Sequence, residues 1–419
     1  MRRYESYKDS GVEWLGEVPS HWNLIPNKYI FKLRKNVVEK RSSEYDLLSL
    51  SLKGVIKRDM ANPEGKFPAE FDTYQEVKEG DFIFCLFDVE ETPRTVGLSS
   101  YHGMITGAYT IFETNNVDKK FIYYFYLNLD SDKRLKPLYK GLRNTISKET
   151  FFSFNTFIPP LSEQQKIAQF LNDKTAKIDQ AVDLAEKQIA LLKEHKQILI
   201  QNAVTRGLNP DVPLKDSGVE WIGQVPEHWE LTIGMNVFRE NKRDNKGMKE
   251  NTVLSLSYGK IIIKPEEKLF GLVPESFETY QIVEPNDIII RCTDLQNDQT
   301  SLRTGLAQDK GIITSAYLNL KVINNYSAKF LHYYLHALDI TKVLYKFGSG
   351  LRQNLSFLDF KRLPIIDISL AEQQKIADYL DTQTAKIDQA IALKTAHIEK
   401  LKEYKSVLIN DVVTGKVRV

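Results

Sequence analysis

The stretch KDSGVEWLGEVPSHW at positions 8–22 returns as KDSGVEWIGQVPEHW at positions 215–229, 207 residues later. Only Leu15/Ile222, Glu17/Gln224 and Ser20/Glu227 differ. Either a local module is used twice or the whole chain is duplicated, and that choice precedes any assignment of elements. The rest of the chain decides for duplication. LSEQQKIAQFLNDKTAKIDQAV (161–182) returns as LAEQQKIADYLDTQTAKIDQAI (370–391), and LLKEHKQILIQNAVTRG (191–207) as KLKEYKSVLINDVVTGK (400–416), both at an offset of 209. Between phrase and EQQ segment the match thins but keeps its order. TYQEVKEGDFIFCLFD (73–88) meets TYQIVEPNDIIIRCTD (279–294), and GLRNTIS (141–147) meets GLRQNLS (350–356). Offsets wander from 206 to 209, so the middle parts carry small insertions such as Phe347–Ser349. A common frame with differing loops suits two sites of different specificity, and equally suits drift in surface loops.

The EQQ segments read as long helices. From Leu171 a 4-3 spacing runs through Thr175, Ile178, Val182, Ala185, Ile189, Leu192, Lys196, Leu199 and Ala203. The second copy reads Leu380, Thr384, Ile387, Ile391, Lys394, Ile398, Leu401, Lys405, Leu408 and Val412. This is a coiled-coil seam without an internal Pro or Gly. Ser162 with Gln165 predicts a capping box, and Ser369 with Glu372 the same, one residue earlier. Gly207 and Gly415 are the expected C-terminal stops. From Glu163 to Thr205 the first helix should measure about 64 Å. An isolated helix cannot bury such a stripe. Each packs on its own domain, or the two face each other as an antiparallel pair, which keeps Lys196 away from Lys405.

The expected fold is therefore mixed α/β. Two globular α/β domains (23–160 and 230–367) are separated by two long antiparallel coiled-coil helices (161–207 and 368–415), in a pseudo-two-fold internal repeat. The phrase occupies 1–22, and a linker with its repeat occupies 208–229. Within each domain, β-type runs precede the aromatic helical segments KFIYYFYLNLD (120–130) and KFLHYYLHALD (329–339), and a last strand leads into the long helix. Gly11, Gly16 and Pro19 between Trp14 and Trp22 make the phrase a compact turn packed by indoles. It serves as a joint between module and rod, or as a subunit contact.

Chemistry of its own is hard to find. No P-loop, glycine-rich cofactor loop or N-P-P-[FY] methyltransferase signature occurs, and the 7 His show no metal spacing. The two cysteines, Cys85 and Cys292, make no disulfide framework. No stretch is apolar enough to span a membrane, so a cytoplasmic location is the expectation. Lys+Arg number 57 against 55 Asp+Glu, which leaves nucleic-acid binding to a local basic face.

Two loops offer such chemistry. LYKGLRNTISK (138–148) presents Lys140, Arg143, Asn144 and Lys148; LYKFGSGLRQN (344–354) presents Lys346, Arg352, Gln353 and Asn354. Arg can read guanine and Asn or Gln can read adenine, while Lys mostly meets phosphate. Arg303 lies in the polar loop CTDLQNDQTSLRTG (292–305), and Arg94 in the acidic FDVEETPRTVG (87–97). Arg291 stands where the first copy has Cys85. As plain turns these loops would have no use for an Arg–amide pair. Runs such as KLRKNVVEKR (32–41) also fit a solvated face.

The duplicated phrase, the two diverged modules and the two "L-x-EQQKIA…TAKIDQA" helices resemble the specificity subunit of type I restriction-modification systems, in family order along the whole chain. The first module departs from the pattern: FDVEETPRTVGLSS replaces the polar TDLQND loop. The resemblance implies a non-catalytic, DNA-binding subunit with two target-recognition domains, each reading half of a split sequence in double-stranded DNA. It implies paired helices that set the unread gap and dock two modification (methyltransferase) subunits; the partner or coil-seam positions are Leu171, Ile178, Val182, Ile189, Leu192, Leu199, Leu380, Ile387, Ile391, Ile398, Leu401 and Leu408. Restriction (translocase/nuclease) subunits join that core. S-adenosylmethionine, ATP and Mg²⁺ belong to the partners, with no cofactor or metal on this chain. Two other readings stay open: a coiled-coil scaffold or anti-restriction decoy that binds the methyltransferase but not DNA, and a module serving a methyltransferase without a nuclease.

Overall fold

The computed structural model describes residues 2–60, 70–265, 267, 276–293, 295, 301–347 and 354–419. Among these described residues six α-helices organise the chain: α1 (Lys119–Ser131), α2 (Lys148–Ser153), α3 (Leu161–Arg206), α4 (Ala328–Ile340), α5 (Phe357–Arg362) and α6 (Leu370–Val413). Two compact units result, and their boundaries fall inside the long helices. Unit 1 is Met1–Ala185 with Ala396–Val419; unit 2 is Glu186–Thr395. Each unit is thus completed by the C-terminal end of the long helix that belongs to the other repeat.

In unit 1 a four-stranded antiparallel sheet runs in the order Phe31–Arg34, Thr110–Thr114, Phe82–Phe84, Val96–Leu98. Alternation along a strand sends neighbouring side chains to opposite faces. Phe82 and Phe84 accordingly face α1 and α2, while Ile83 faces a second cluster with Leu48, Val55, Val77, Ile105 and Ile111. Residues 48–57 form a hairpin, Leu48–Ser51 against Gly54–Lys57. Phe31 sits at the centre of the first face, with Phe82, Phe84, Phe112, Tyr126 and Phe151 at centroid distances of 5.3–5.7 Å. Tilted and edge-on rings of this kind are favourable beyond their burial.

Unit 2 repeats the frame with Phe238–Glu240, Leu318–Val322, Ile288–Ile290 and Thr304–Leu306. Its core is largely aliphatic: Ile288, Ile290, Leu320 and Leu335 stand where unit 1 has Phe82, Phe84, Phe112 and Tyr126. One topology therefore accepts two fillings of similar size, as volume-conserving cores do.

The repeated phrase folds alike in both units, as a hairpin (Tyr7–Asp9 with Glu17–Pro19, and Leu214–Asp216 with Gln224–Pro226). Trp22 and Trp229 are fully buried. Trp22 Nε1 donates to Glu163 Oε1 at 3.2 Å, and Trp229 Nε1 to Glu372 Oε1 at 3.0 Å. His21 and His228 meet the other oxygens of the same carboxylates at 2.8 and 3.3 Å. The next residue of the motif ties the helix to the module. Gln164 Oε1 accepts from Asp118 N and Gln373 Oε1 from Ser327 N, both at 2.8 Å, holding the N-caps of α1 and α4. The C-cap glycines complete the joint. A Cβ on Gly415 would lie 2.3 Å from Pro19 Cδ and one on Gly207 3.2 Å from Trp229, and both have φ near +74°. Only glycine meets both demands without strain.

The seam faces inward along both helices, and within each unit they run antiparallel. In unit 1 Lys405 bonds Asp179 at 2.7 Å; in unit 2 Lys196 bonds Asp388 at 2.7 Å and Lys394 bonds Gln188 at 2.6 Å. The seam threonines turn to the modules: Thr175 meets the Tyr124 hydroxyl at 3.0 Å, and Thr384 that of Tyr333 at 3.4 Å. One cap differs from expectation. α3 begins at Leu161 and Pro160 accepts from Glu163 N and Gln164 N, so Ser162 lies inside the first turn and makes no capping box with Gln165. Proline suits this place because it presets φ and its carbonyl remains an acceptor. Ser369 does cap α6, accepting from Glu372 N at 3.3 Å, while the Glu372 side chain is held by Trp229. Among the described residues no helix is long and apolar enough to cross a membrane.

Two α4 histidines replace Tyr123 and Leu127 of the first repeat. His332 and His336 border a cavity of about 610 Å³, and among the described residues the buried His332 Nε2 and His336 Nδ1 have no hydrogen-bond partner. Burial pushes them down to about 4 and about 3. The unfolded chain takes up these protons below 6.5, the ordinary histidine value. Their contribution to stability is therefore complete above about pH 6.5 and falls as pH drops towards 4, by at most about 1.4 kcal/mol per pH unit for each histidine. Replacing His332→Tyr together with His336→Leu should flatten the decline in thermal midpoint between pH 7 and pH 5; an unchanged decline would show that other groups cause it.

Candidate nucleic-acid interface

In unit 1 the loop after α1 is a tight hairpin. Lys140 N and Thr145 N each donate to the other's carbonyl at 3.0 Å. Gly141 (φ +71°) and Asn144 (φ +43°) take the left-handed conformations that close it. The loop is also anchored from outside. Asp88 N donates to Arg143 O at 2.8 Å, and Ile146 N to Leu86 O at 2.8 Å. The result is a short, fixed tip on a buried base.

This tip gathers Lys140, Arg143 and Asn144, with Lys148 opening α2 just beyond it. Lys140, Arg143 and Lys148 are exposed and Asn144 is half-buried. Arg143 is braced: its Nε donates to Asp88 Oδ1 at 3.0 Å and its Nη2 to Asp88 Oδ2. The guanidinium lies over the Phe87 ring at 5.4 Å. The Arg143 hydrogen bonds hold the Asp88 carboxyl below its ordinary value. Glu90 pairs with Lys136 at 2.7 Å, and Glu91 accepts from Asn144 at 3.3 Å. The acidic loop is thus a countercharge for the basic one. Leu142, at the tip between these cations, is fully exposed. Sequence reading singled out neither Asp88, Phe87 nor Leu142 as a contact residue. Leu142 sits inside the repeated GLR triplet, a signal that was available; the Asp88 pairing spans 55 residues and had none.

The other sequence-derived candidates are placed differently. Arg94 turns to the neighbouring hairpin, where Nη2 donates to Leu52 O at 3.3 Å. In unit 2 Lys346 and Asn354 are exposed, and Arg352 and Gln353 lie outside the described residues, as does most of the TDLQND stretch. Arg291 is half-buried and its N–H pairs with Arg303 O at 2.8 Å. Arg303 is not at the surface at all. It is fully buried, with Nε on the Tyr345 hydroxyl at 3.0 Å and Nη1 on Thr293 O at 2.8 Å and Arg291 O at 3.3 Å. A buried guanidinium of this kind ties loop carbonyls together and cannot reach a ligand from there. The basic runs are also partly internal: Arg34 pairs with Asp81 and Glu76, and Arg243 with Asp287.

The long helices expose apolar side chains off the seam. Leu184, Leu191 and Ile198 recur every seven residues on α3, hence on one face. Leu393, Tyr404 and Val407 are exposed on α6.

Residues 104–193 match the type I restriction modification DNA specificity domain. The chain is 25% identical over 340 residues to the type I restriction enzyme MjaVIII specificity subunit of Methanocaldococcus jannaschii, covering 76% of this chain and 75% of the relative. A second protein of that organism, assigned as the MjaX specificity subunit, is 23% identical over 441 residues, covering 99% and 97%. Among solved structures, one on complex assembly and conformational transition of the type I R-M system has a chain that matches with a TM-score of 0.65 at 12% identity, covering 96% of this chain and 99% of that one. The HsdS subunit of Thermoanaerobacter tengcongensis matches at 0.52 and 13% identity, covering 96% and 98%. The resemblance to type I specificity subunits read from the sequence therefore holds along the whole chain, and the fold is theirs.

Arg303→Ala should lower stability by about 2 kcal/mol or more, because it orphans buried carbonyls and opens a cavity. Arg143→Ala should stay within about 0.5 kcal/mol of the parent, as exposed substitutions do. Chemical denaturation of the two variants checks this division; equal losses would undo it.

Proposed function

We propose that this chain is the DNA-binding specificity subunit of a type I restriction-modification complex, taking the family resemblance as premise. It reads a bipartite double-stranded target, one domain to each half-site, and has no active site of its own. The observation that carries this reading is the pair of units built on one frame with different exposed loops. In unit 1 that loop is the anchored tip bearing Lys140, Arg143, Asn144 and Lys148, which offers base-reading and phosphate-binding groups together. On unit 2 the exposed Lys346 and Asn354 would offer a phosphate-binding group and an amide.

The long helices would set the unread gap. Their exposed apolar side chains would dock two modification (methyltransferase) subunits, because apolar rows of this kind are uncommon on a free surface. Restriction subunits would join that assembly in the cytoplasm. S-adenosylmethionine, ATP and Mg²⁺ would be used by the partners.

Mapping DNA methylation in cells that express this chain with its cognate modification subunit tests the proposal. A new two-part motif with a fixed unread gap is expected, and Arg143→Ala should relax one half-site while leaving the other unchanged. Binding should weaken steeply with salt, through displacement of counterions from the phosphates. A stable complex that adds no methylation would overturn DNA reading in favour of a scaffold. Equal weakening of both half-sites would overturn the division of labour between units.

A further inference from the structure

Resting on the DNA-reading function just proposed, we infer that Asp88 is a positioning residue that aims Arg143 at a guanine in the half-site read by unit 1. The geometry is a side-on clamp. Asp88 occupies the Nε–Nη2 edge of the guanidinium. Phe87 supports one face of it at 5.4 Å. Among the described residues, Arg143 Nη1 has no hydrogen-bonding partner. What remains is the end-on fork, an Nη1–H and the outer Nη2–H, two parallel donors pointing away from the clamp. Guanine presents two acceptors, O6 and N7, in the major groove, and adenine presents one acceptor and one donor. The free edge therefore fits guanine and places a donor against the adenine amino group.

The clamp is held at both ends. The backbone N–H of Asp88 donates to Arg143 O at 2.8 Å while its carboxylate holds the side chain of the same residue. Arginine is rotamer-rich, and ordering it before contact removes part of the entropy cost of binding. The arrangement also explains an acidic loop at a surface meant for a polyanion. A carboxylate there lowers affinity for any DNA, because it cancels one cation and repels phosphate. Its compensating effect is on selectivity. With Asp88 absent, Arg143 is a long mobile cation that satisfies itself on a phosphate. Glu90 and Glu91 face Lys136 and Asn144 instead, so they do not duplicate the clamp.

Affinity and discrimination should then move in opposite directions, which a merely structural role for Asp88 would not produce. The test selects bound sequences from a DNA library randomised in both half-sites, using the chain in complex with its modification subunit. The parent should require a G·C pair at one position of one half-site. Arg143→Ala and Arg143→Lys should each lose that preference by on the order of tenfold, since lysine cannot form the fork. Asp88→Ala should lose preference at the same base pair and no other, while binding to unrelated DNA tightens and its salt dependence steepens. Asp88→Asn, which keeps one acceptor, should fall between. Preference at that pair surviving in Asp88→Ala, or several pairs relaxing together, would overturn the positioning role and leave DNA reading intact. A parent complex that selects no sequence would overturn DNA reading itself.

Discussion

The structure depends on one carboxylate per repeat. Glu163 and Glu372 stand in the first turn of the long helices, and each takes the indole N–H of a fully buried tryptophan from the repeated phrase. The neighbouring glutamine takes the backbone N–H at the N-cap of the module's main helix. Two adjacent side chains thus fasten three separate stretches at one point. Hydrogen bonds to a charged acceptor are among the stronger ones a protein makes, and a buried donor left unpaired is costly. That explains why both the phrase and the EQQ segment repeat so closely while the modules between them diverge: they are two faces of one joint, and neither can change alone.

The joint also accounts for the way the chain is divided. Unit 1 takes its closing glycine, Gly415, from the end of α6, and unit 2 takes Gly207 from the end of α3. Each phrase therefore packs against the end of a long helix while its tryptophan is held at the start of another. Inside that constant frame the modules are free to vary, and they do so in two ways. The cores exchange phenylalanines for isoleucines and leucines at matched positions. The loops exchange charge and length, and the tip at Lys140–Thr145 is the part of unit 1 where such a change meets solvent on a fixed base.

Much of this was legible in the sequence because it rests on periodicity and repetition. The seam from Leu171 to Ala203, the helices at 119–131 and 328–340 and the final strands at 155–158 and 364–367 all follow from local pattern. The cap of α3 did not: Ser162 with Gln165 matches the capping-box pattern, yet the helix starts at Leu161 and the Pro160 carbonyl accepts from Glu163 N and Gln164 N. Site residues were harder still. Arg303 and Arg143 look alike in sequence, yet one is enclosed by carbonyls and the other stands on a carboxylate 55 residues away. Burial and long-range pairing distinguish them, and neither leaves a local trace.

A double-mutant cycle on Trp22→Phe and Glu163→Ala, read by chemical denaturation, tests the joint most directly. The phrase and the EQQ helix are expected to couple by on the order of 1–3 kcal/mol, with a similar value for Trp229 and Glu372. Additive single-site losses with no coupling in either repeat would contradict the account, leaving the phrase and the helix as neighbours without a shared interaction.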